Sequence, residues 1–258
     1  MSAQIEITGL VVAFFLIALF YSAVGFGGGS SYLAILSLVL TSFFLIRSSA
    51  LVCNFIVVSG SCFLYYKKGY LLFKKFLPFI ISSIPLAFLG ALIPLKETIF
   101  FIILGCALII SAAALALQTM QLTSKYQPNE YSTYFPYLLG GAIGLLSGLV
   151  GIGGGIFLAP VLNHLKWDKP IVIAALASFF ILVNSVSGLF GLLGAGTFEL
   201  PMPEILYLLI AVCVGGQIGA RFSLTKFSGK NICLLTASLV FLVGLRVLLN
   251  NGLQIQLF

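Results

Sequence analysis

Apolar residues run almost unbroken along this chain, in blocks long enough for helices and separated by short polar punctuation. The blocks predict helical segments over residues 5–24, 30–46, 48–66, 76–93 and 98–120, then 134–150, 156–165, 170–193, 203–222 and 231–249. The longest polar stretch, residues 121–132, separates the fifth segment from the sixth. An α-helix rises ~1.5 Å per residue, so ~20 residues cross a hydrocarbon core. Most segments are long enough to cross. Residues 156–165 are too few, reaching only ~15 Å.

The pattern also repeats itself. Gly25-Phe26-Gly27-Gly28-Gly29 matches Gly151-Ile152-Gly153-Gly154-Gly155 at an offset of 126 residues. Ser48 and Asn54 match Ser178 and Asn184 at an offset of 130, and Gly90-Ala91 matches Gly219-Ala220 at 129. The drift fits an insertion around residues 166–169. Self-similarity at a fixed period marks a repeated unit. The halves are residues 4–122 and 133–250, each with five segments, together one integral membrane domain.

Composition narrows the class. The chain has 258 residues, of which 61% are hydrophobic and 7% charged, where a soluble domain carries about a quarter charged. Such a chain exposes too much apolar surface for water. A soluble enzyme, a disordered chain and a secreted disulfide scaffold are excluded, leaving an all-α polytopic membrane protein. Cys53, Cys62, Cys106, Cys213 and Cys233 all lie inside apolar runs without a CxxC pair, and His164 is the one histidine. No metal site, cofactor or disulfide framework is expected from them. The first run lacks a positive flank and a cleavage site, so it reads as retained rather than as a signal peptide.

The net charge of +7 reads as membrane orientation and not as a nucleic-acid surface, because the basic residues sit in short loops. Lys67, Lys68, Lys74 and Lys75 fill one loop, while the equivalent loop of the second half holds Glu199 and Glu204 and no cation. The first loop is expected in the cytoplasm and the second outside, which makes the repeats inverted. Following the chain, Lys67, Lys68, Lys74, Lys75, Lys125, Lys166, Lys169, Arg221, Lys226 and Lys230 fall inside, and Arg47, Lys96 and Arg246 outside. Both termini then lie outside. Six segments are expected to cross fully. The other four form two hairpins that turn back at the glycines near mid-membrane, although the first hairpin is also long enough for two full crossings.

A helix that begins in mid-membrane presents N–H groups without an intrahelical acceptor, at the positive end of its dipole. That combination attracts anions, and glycine lets the backbone approach them closely. Paired half-helices of this kind recur at transporter centres. The glycines Gly27, Gly28, Gly29, Gly153, Gly154 and Gly155 are therefore expected to bind substrate, and the scattered Gly140, Gly144 and Gly148 to pack helices. Ser22, Ser30 and Ser31 flank the first turn and Ser147 precedes the second; Asn54 and Asn184 each stand inside an apolar run, where an amide needs partners. All six join the expected substrate-binding set. Arg47, Asn54 and Ser61 share one helical face at sevenfold spacing. Arg246 is expected to snorkel outward, and Arg47 to do the same or to draw anions to the outer mouth. His164 reads as interfacial. The six acidic residues are all in loops or at segment edges, so the core would repel no anion. An intramembrane serine protease would need Ser147 and His164 together, and the pattern keeps them apart.

The sequence GFGGGS at residues 25–30, GLVGIGGGIFLAP at 148–160, and the helix-start serines with Gly-Ala near each fourth helix resemble the TauE/SafE sulfite-exporter family. The first motif departs from the pattern in having Ala34-Ile35 where the second has Pro160. The resemblance spans both halves. It implies a transporter, not an enzyme, in the bacterial inner (plasma) membrane. Such a protein exports a small sulfur-containing anion such as sulfite or sulfoacetate by alternating access. An anion channel, or import of a related anion such as thiosulfate, are the alternatives. The expected partners are that anion and the lipid bilayer; the oligomeric state is left open.

Overall fold

A computed structural model describes residues 2–40, 42–93, 95–121, 131–223 and 229–252. The described residues form ten α-helices: α1 Ser2–Val24, α2 Gly29–Val39, α3 Phe43–Lys67, α4 Phe73–Leu92, α5 Glu97–Gln121, α6 Phe135–Val150, α7 Gly155–His164, α8 Pro170–Gly194, α9 Glu204–Ser223 and α10 Gly229–Arg246. A π-helical turn, Val247–Gly252, follows α10. The side chains of Lys125, Glu130, Lys226 and Lys230, which entered the charge count, lie outside the described residues.

Most boundaries follow the apolar pattern. The exception is residues 30–46, expected as one segment. Here α2 stops at Val39, Leu40 and Ser42 each have extended backbone, and α3 begins at Phe43. The 11 residues of α2 reach ~16 Å, so α2 is as short for a membrane as the 10-residue α7. Each half therefore opens with a long helix followed by a short one. Among the described residues, α3, α4, α8 and α9 are long and apolar enough to cross a membrane. The six expected crossings include α5 and α10, whose side chains are described only in part.

The helices pair across the halves. Gly140, Gly144 and Gly148 of α6 face Phe79, Ser83 and Ala87 of α4; a Cβ on Gly140 would stand 2.5 Å from the Phe79 carbonyl, and one on Gly144 2.6 Å from the Ser83 Cα. Gly215 and Gly219 of α9 likewise press on the carbonyls of Phe15 and Leu19 of α1. Small residues at fourfold spacing let helix backbones touch, which is what association in lipid requires. In both pairs the residue numbers rise together, so the paired helices run in the same direction. The same holds for α4 and α8, where Ser187 donates to the Ile84 carbonyl at 2.6 Å and a Cβ on Gly191 would lie 2.8 Å from the Phe88 carbonyl.

The outside of this bundle is apolar. Leu77, Ile81 and Leu89 on α4 and Leu206, Ile210 and Val214 on α9 are exposed, an outer face that suits hydrocarbon and not water. The two ends differ in charge. Lys75 pairs with Asp168 at 2.8 Å, which puts the Lys67–Lys75 and Lys166–Lys169 loops at one end. At the other end the Glu199 N–H donates to Ser48 Oγ at 3.2 Å. Along α3, Ser48 and Lys67 are separated by ~28 Å, close to a hydrocarbon thickness.

Candidate functional site

Between α1 and α2, and again between α6 and α7, the chain reverses through its glycines. Gly28 caps the start of α2 at φ 89° and Gly154 caps α7 at φ 81°, backbone that glycine alone adopts without strain. Neither cap supplies a side-chain hydrogen bond to the first turn. Residues 25–34 and 150–160 are buried throughout. Two helix N-termini, with leading N–H groups that have no intrahelical acceptor, thus lie inside protein.

Asn54 of α3 joins them. Its Nδ2 donates to the carbonyl of Ile152 in the second turn at 2.9 Å. A Cβ on Gly27 would stand 2.5 Å from its Oδ1, one on Gly153 3.4 Å from its Nδ2, and one on Gly29 would collide with that same nitrogen. One fully buried carboxamide therefore touches both turns, and its Oδ1 has no hydrogen-bond partner.

Further unpartnered groups gather at the second turn. Ser147, just before it, has a free buried Oγ, and its Cβ lies 3.2 Å from where a Gly154 Cβ would stand. On α8, Ser185 Oγ is free and lies 3.2 Å from the Gly153 Cβ position. Its neighbour Asn184 is buried with both amide atoms unpartnered. Buried polar atoms are normally satisfied, so this concentration is unusual.

The serines flanking the first turn are engaged. Ser22 Oγ bonds Ser61 Oγ at 2.9 Å, and Ser31 Oγ bonds the Tyr21 hydroxyl at 2.6 Å, with Ser30 Oγ 3.5 Å from that hydroxyl. Gly27, Gly28, Gly29, Asn54, Ser147, Gly153, Gly154 and Gly155 thus come together, while Ser22 faces α3 instead. Ser147 is buried beside the start of α7 and His164 is exposed at its end, so the two do not form a catalytic pair.

Two participants escaped sequence reasoning, and a third sits elsewhere than expected. Ser178, at the start of α8, donates to the Gly25 carbonyl at 2.7 Å and so clamps the first turn. Ser185 carried no pattern of its own. Of the two roles expected for Arg47, outward snorkelling is overturned: the residue is buried, and its Nη2 donates to the Gly148 carbonyl at 2.9 Å. Because α3 begins at Phe43, Arg47 is already inside the bundle, under the C-terminal end of α6, where carbonyls lack intrahelical donors. Its signal was the shared face with Asn54 and Ser61, all three of which are buried.

Known proteins resemble this chain in sequence. The family model described as Sulfite exporter TauE/SafE matches residues 10–247. A Sinorhizobium fredii protein named "Probable membrane transporter protein y4hK" is 32% identical over 246 residues, covering 94% of this chain and 98% of its own. A Methanocaldococcus jannaschii protein with the same kind of name is 31% identical over 122 residues, 44% of this chain and 45% of its own. A similarly named Haemophilus influenzae protein is 28% identical over 145 residues, 52% and 53%. No solved structure matches the chain. With the family match running through both glycine turns and all ten helices, the chain belongs to the TauE/SafE sulfite exporter family of membrane transporters.

Proposed function

We propose that this protein carries a small sulfur-containing oxyanion, of the sulfite or sulfoacetate kind, out of a bacterial cell across the inner membrane by alternating access. The observation that carries this reading is Asn54, whose one carboxamide touches both glycine turns. Two buried helix N-termini and an amide then face a single place, and their N–H groups suit an oxyanion. The described carboxylates Glu97, Asp168, Glu199 and Glu204 are all in loops or at helix starts, so no fixed negative charge opposes it. Burial of both turns supports a carrier that opens to one side at a time over a continuous channel.

The halves α1–α5 and α6–α10 are read as inverted repeats. In support, α6 and α8 run with α4, α1 runs with α9, and a short loop reverses the chain between α8 and α9. Each of these helices then opposes its counterpart. The basic Lys75–Asp168 end is assigned to the cytoplasm, and the termini and Glu199 to the outside. The interior-negative potential contributes ~2.3 kcal/mol per charge per ~100 mV toward expelling a monovalent anion, so export needs no coupled ion.

Purified protein in vesicles under a potassium–valinomycin potential provides the test. Sulfite flux should saturate, respond to sulfite on the far side, and follow the voltage without a proton or sodium gradient. Flux that ignores voltage and demands such a gradient would overturn uncoupled export; flux that never saturates would mean a channel. In the same vesicles, Lys68→Cys and Glu199→Cys on a cysteine-free background should label from opposite faces. Labelling from one face sinks the inverted arrangement.

A further inference from the structure

We infer that Arg47 is a substrate-binding residue, its guanidinium the fixed positive charge that the translocated oxyanion meets beside the second glycine turn. The inference rests on the anion-site reading above and gives that site its charge.

Among the described residues Arg47 is the only charged side chain that is buried, at 1% exposure. Among the described residues no ion pair joins it to a carboxylate, and the Lys75–Asp168 pair lies at the far end of α3. A buried cation without a counter-charge is strongly unfavourable. Two features soften this cost without removing it. The Gly148 carbonyl accepts one N–H at 2.9 Å, at the end of α6, where the helix dipole amounts to about half a negative charge. The Phe100 ring lies 6.0 Å from the guanidinium carbon, at the outer limit of a cation–π contact. One donor is therefore spent, while Nε has no partner at all. A guanidinium carries five donors in a planar fork that matches the oxygens of a sulfonate or sulfite.

Its position fits. The Arg47 stem packs 3.5 Å from where a Gly151 Cβ would stand, and Gly151 is the first glycine of the turn that ends at the α7 cap, Gly154. Asn54 follows Arg47 on the same helical face and reaches Ile152 of the same turn. Two hydroxyls beside that turn, on Ser147 and Ser185, are equally without protein partners. At the repeat-equivalent position stands Ala177, so the charge belongs to one half only. A single buried positive charge selects for a negatively charged ligand over a neutral one of the same shape.

The alternative role for Arg47 is purely structural, as a cap on the end of α6, and the two roles separate in one experiment. The full-length protein in nanodiscs is titrated with sulfoacetate, methanesulfonate and sulfite, and its melting temperature is recorded alongside. If Arg47 binds the anion, folded Arg47→Gln should lose affinity by about thirtyfold or more. Arg47→Lys should lose about tenfold, because an ammonium keeps the charge and lacks the fork. Should Arg47→Gln fail to fold, Arg47→Lys carries the test alone. Lower melting temperature with unchanged affinity in folded Arg47→Lys would overturn the inference and leave a helix cap. Wild-type protein that binds none of the three anions would overturn the anion site itself, and the role of Arg47 with it.

Discussion

The two glycine turns share a sequence pattern and a left-handed helix cap, yet their surroundings differ. At the first turn the polar groups are mostly paired: Ser178 holds the Gly25 carbonyl, Ser31 holds Tyr21, and Ser22 holds Ser61. The Tyr32 hydroxyl next to Gly28 and the Asn54 oxygen against Gly27 are the exceptions. At the second turn the Ser147 and Ser185 hydroxyls and the Arg47 Nε all lack partners. The same backbone device thus has most of its flanking hydroxyls paired in one half, while in the other two serine hydroxyls and a guanidinium nitrogen are left unmet. A duplicated motif can keep its shape while the two copies divide their work, one fixing geometry and the other facing a ligand.

The largest effect expected from this comparison is at the caps. Gly154→Leu should abolish anion binding while reducing folded yield less, since its Cβ would meet Phe180 at 2.8 Å and Ile143 at 3.0 Å in strained backbone. Gly28→Leu, whose Cβ would meet Ile17 and Tyr32 at 2.9 Å, should do the same. Binding is read by calorimetry on the monodisperse fraction of each variant. Loss in the Gly154 variant alone would confine the anion to the second turn; normal binding in both would reduce the turns to packing devices.

A middle-sized effect is expected at Asn184. Replacing a buried amide that has no partner removes a desolvation cost of about 1–3 kcal/mol. Asn184→Leu should therefore raise the melting temperature while weakening anion affinity by about tenfold, the loss of one hydrogen bond to a charged group. A variant that is less stable and binds normally would show that Asn184 serves the fold. The smallest effect belongs to the closed half. Ser22→Ala breaks one hydroxyl pair, worth ~0.6 kcal/mol between membrane helices, and should leave affinity unchanged. A clear loss of affinity there would erase the distinction between the turns.

The long apolar runs, the short α7 and the paired glycine motifs were all legible in the sequence, because helix length and backbone close approach depend on local composition. The end of α2 was harder to read. Leu40 and Ser42 interrupt an apolar run without glycine or proline, and Ser42 as the residue capping α3 was the available cue. The outward-snorkelling reading of Arg47 failed for a different reason. Near a segment end, spacing alone makes a cation look interfacial; its true partner is a carbonyl 101 residues away in the other half. The contrast between the turns was equally invisible, since Asn54 and Asn184 are equivalent in sequence and differ only in what the fold brings to them.

The glycine seams between halves also set an order of events in synthesis. Gly215 and Gly219 settle on Phe15 and Leu19, a separation of two hundred residues. A ribosome adding about 5–20 residues per second needs roughly 10–40 s to cover that distance. During this interval α1 has left the exit tunnel while its partner α9 has yet to be made. The nascent chain must hold a groove-bearing helix in the bilayer, waiting, with Phe15 and Leu19 open to any other small-residue seam. Insertion and assembly are therefore separate steps for this protein, and the second cannot close until the next two hundred residues have followed the first helix out.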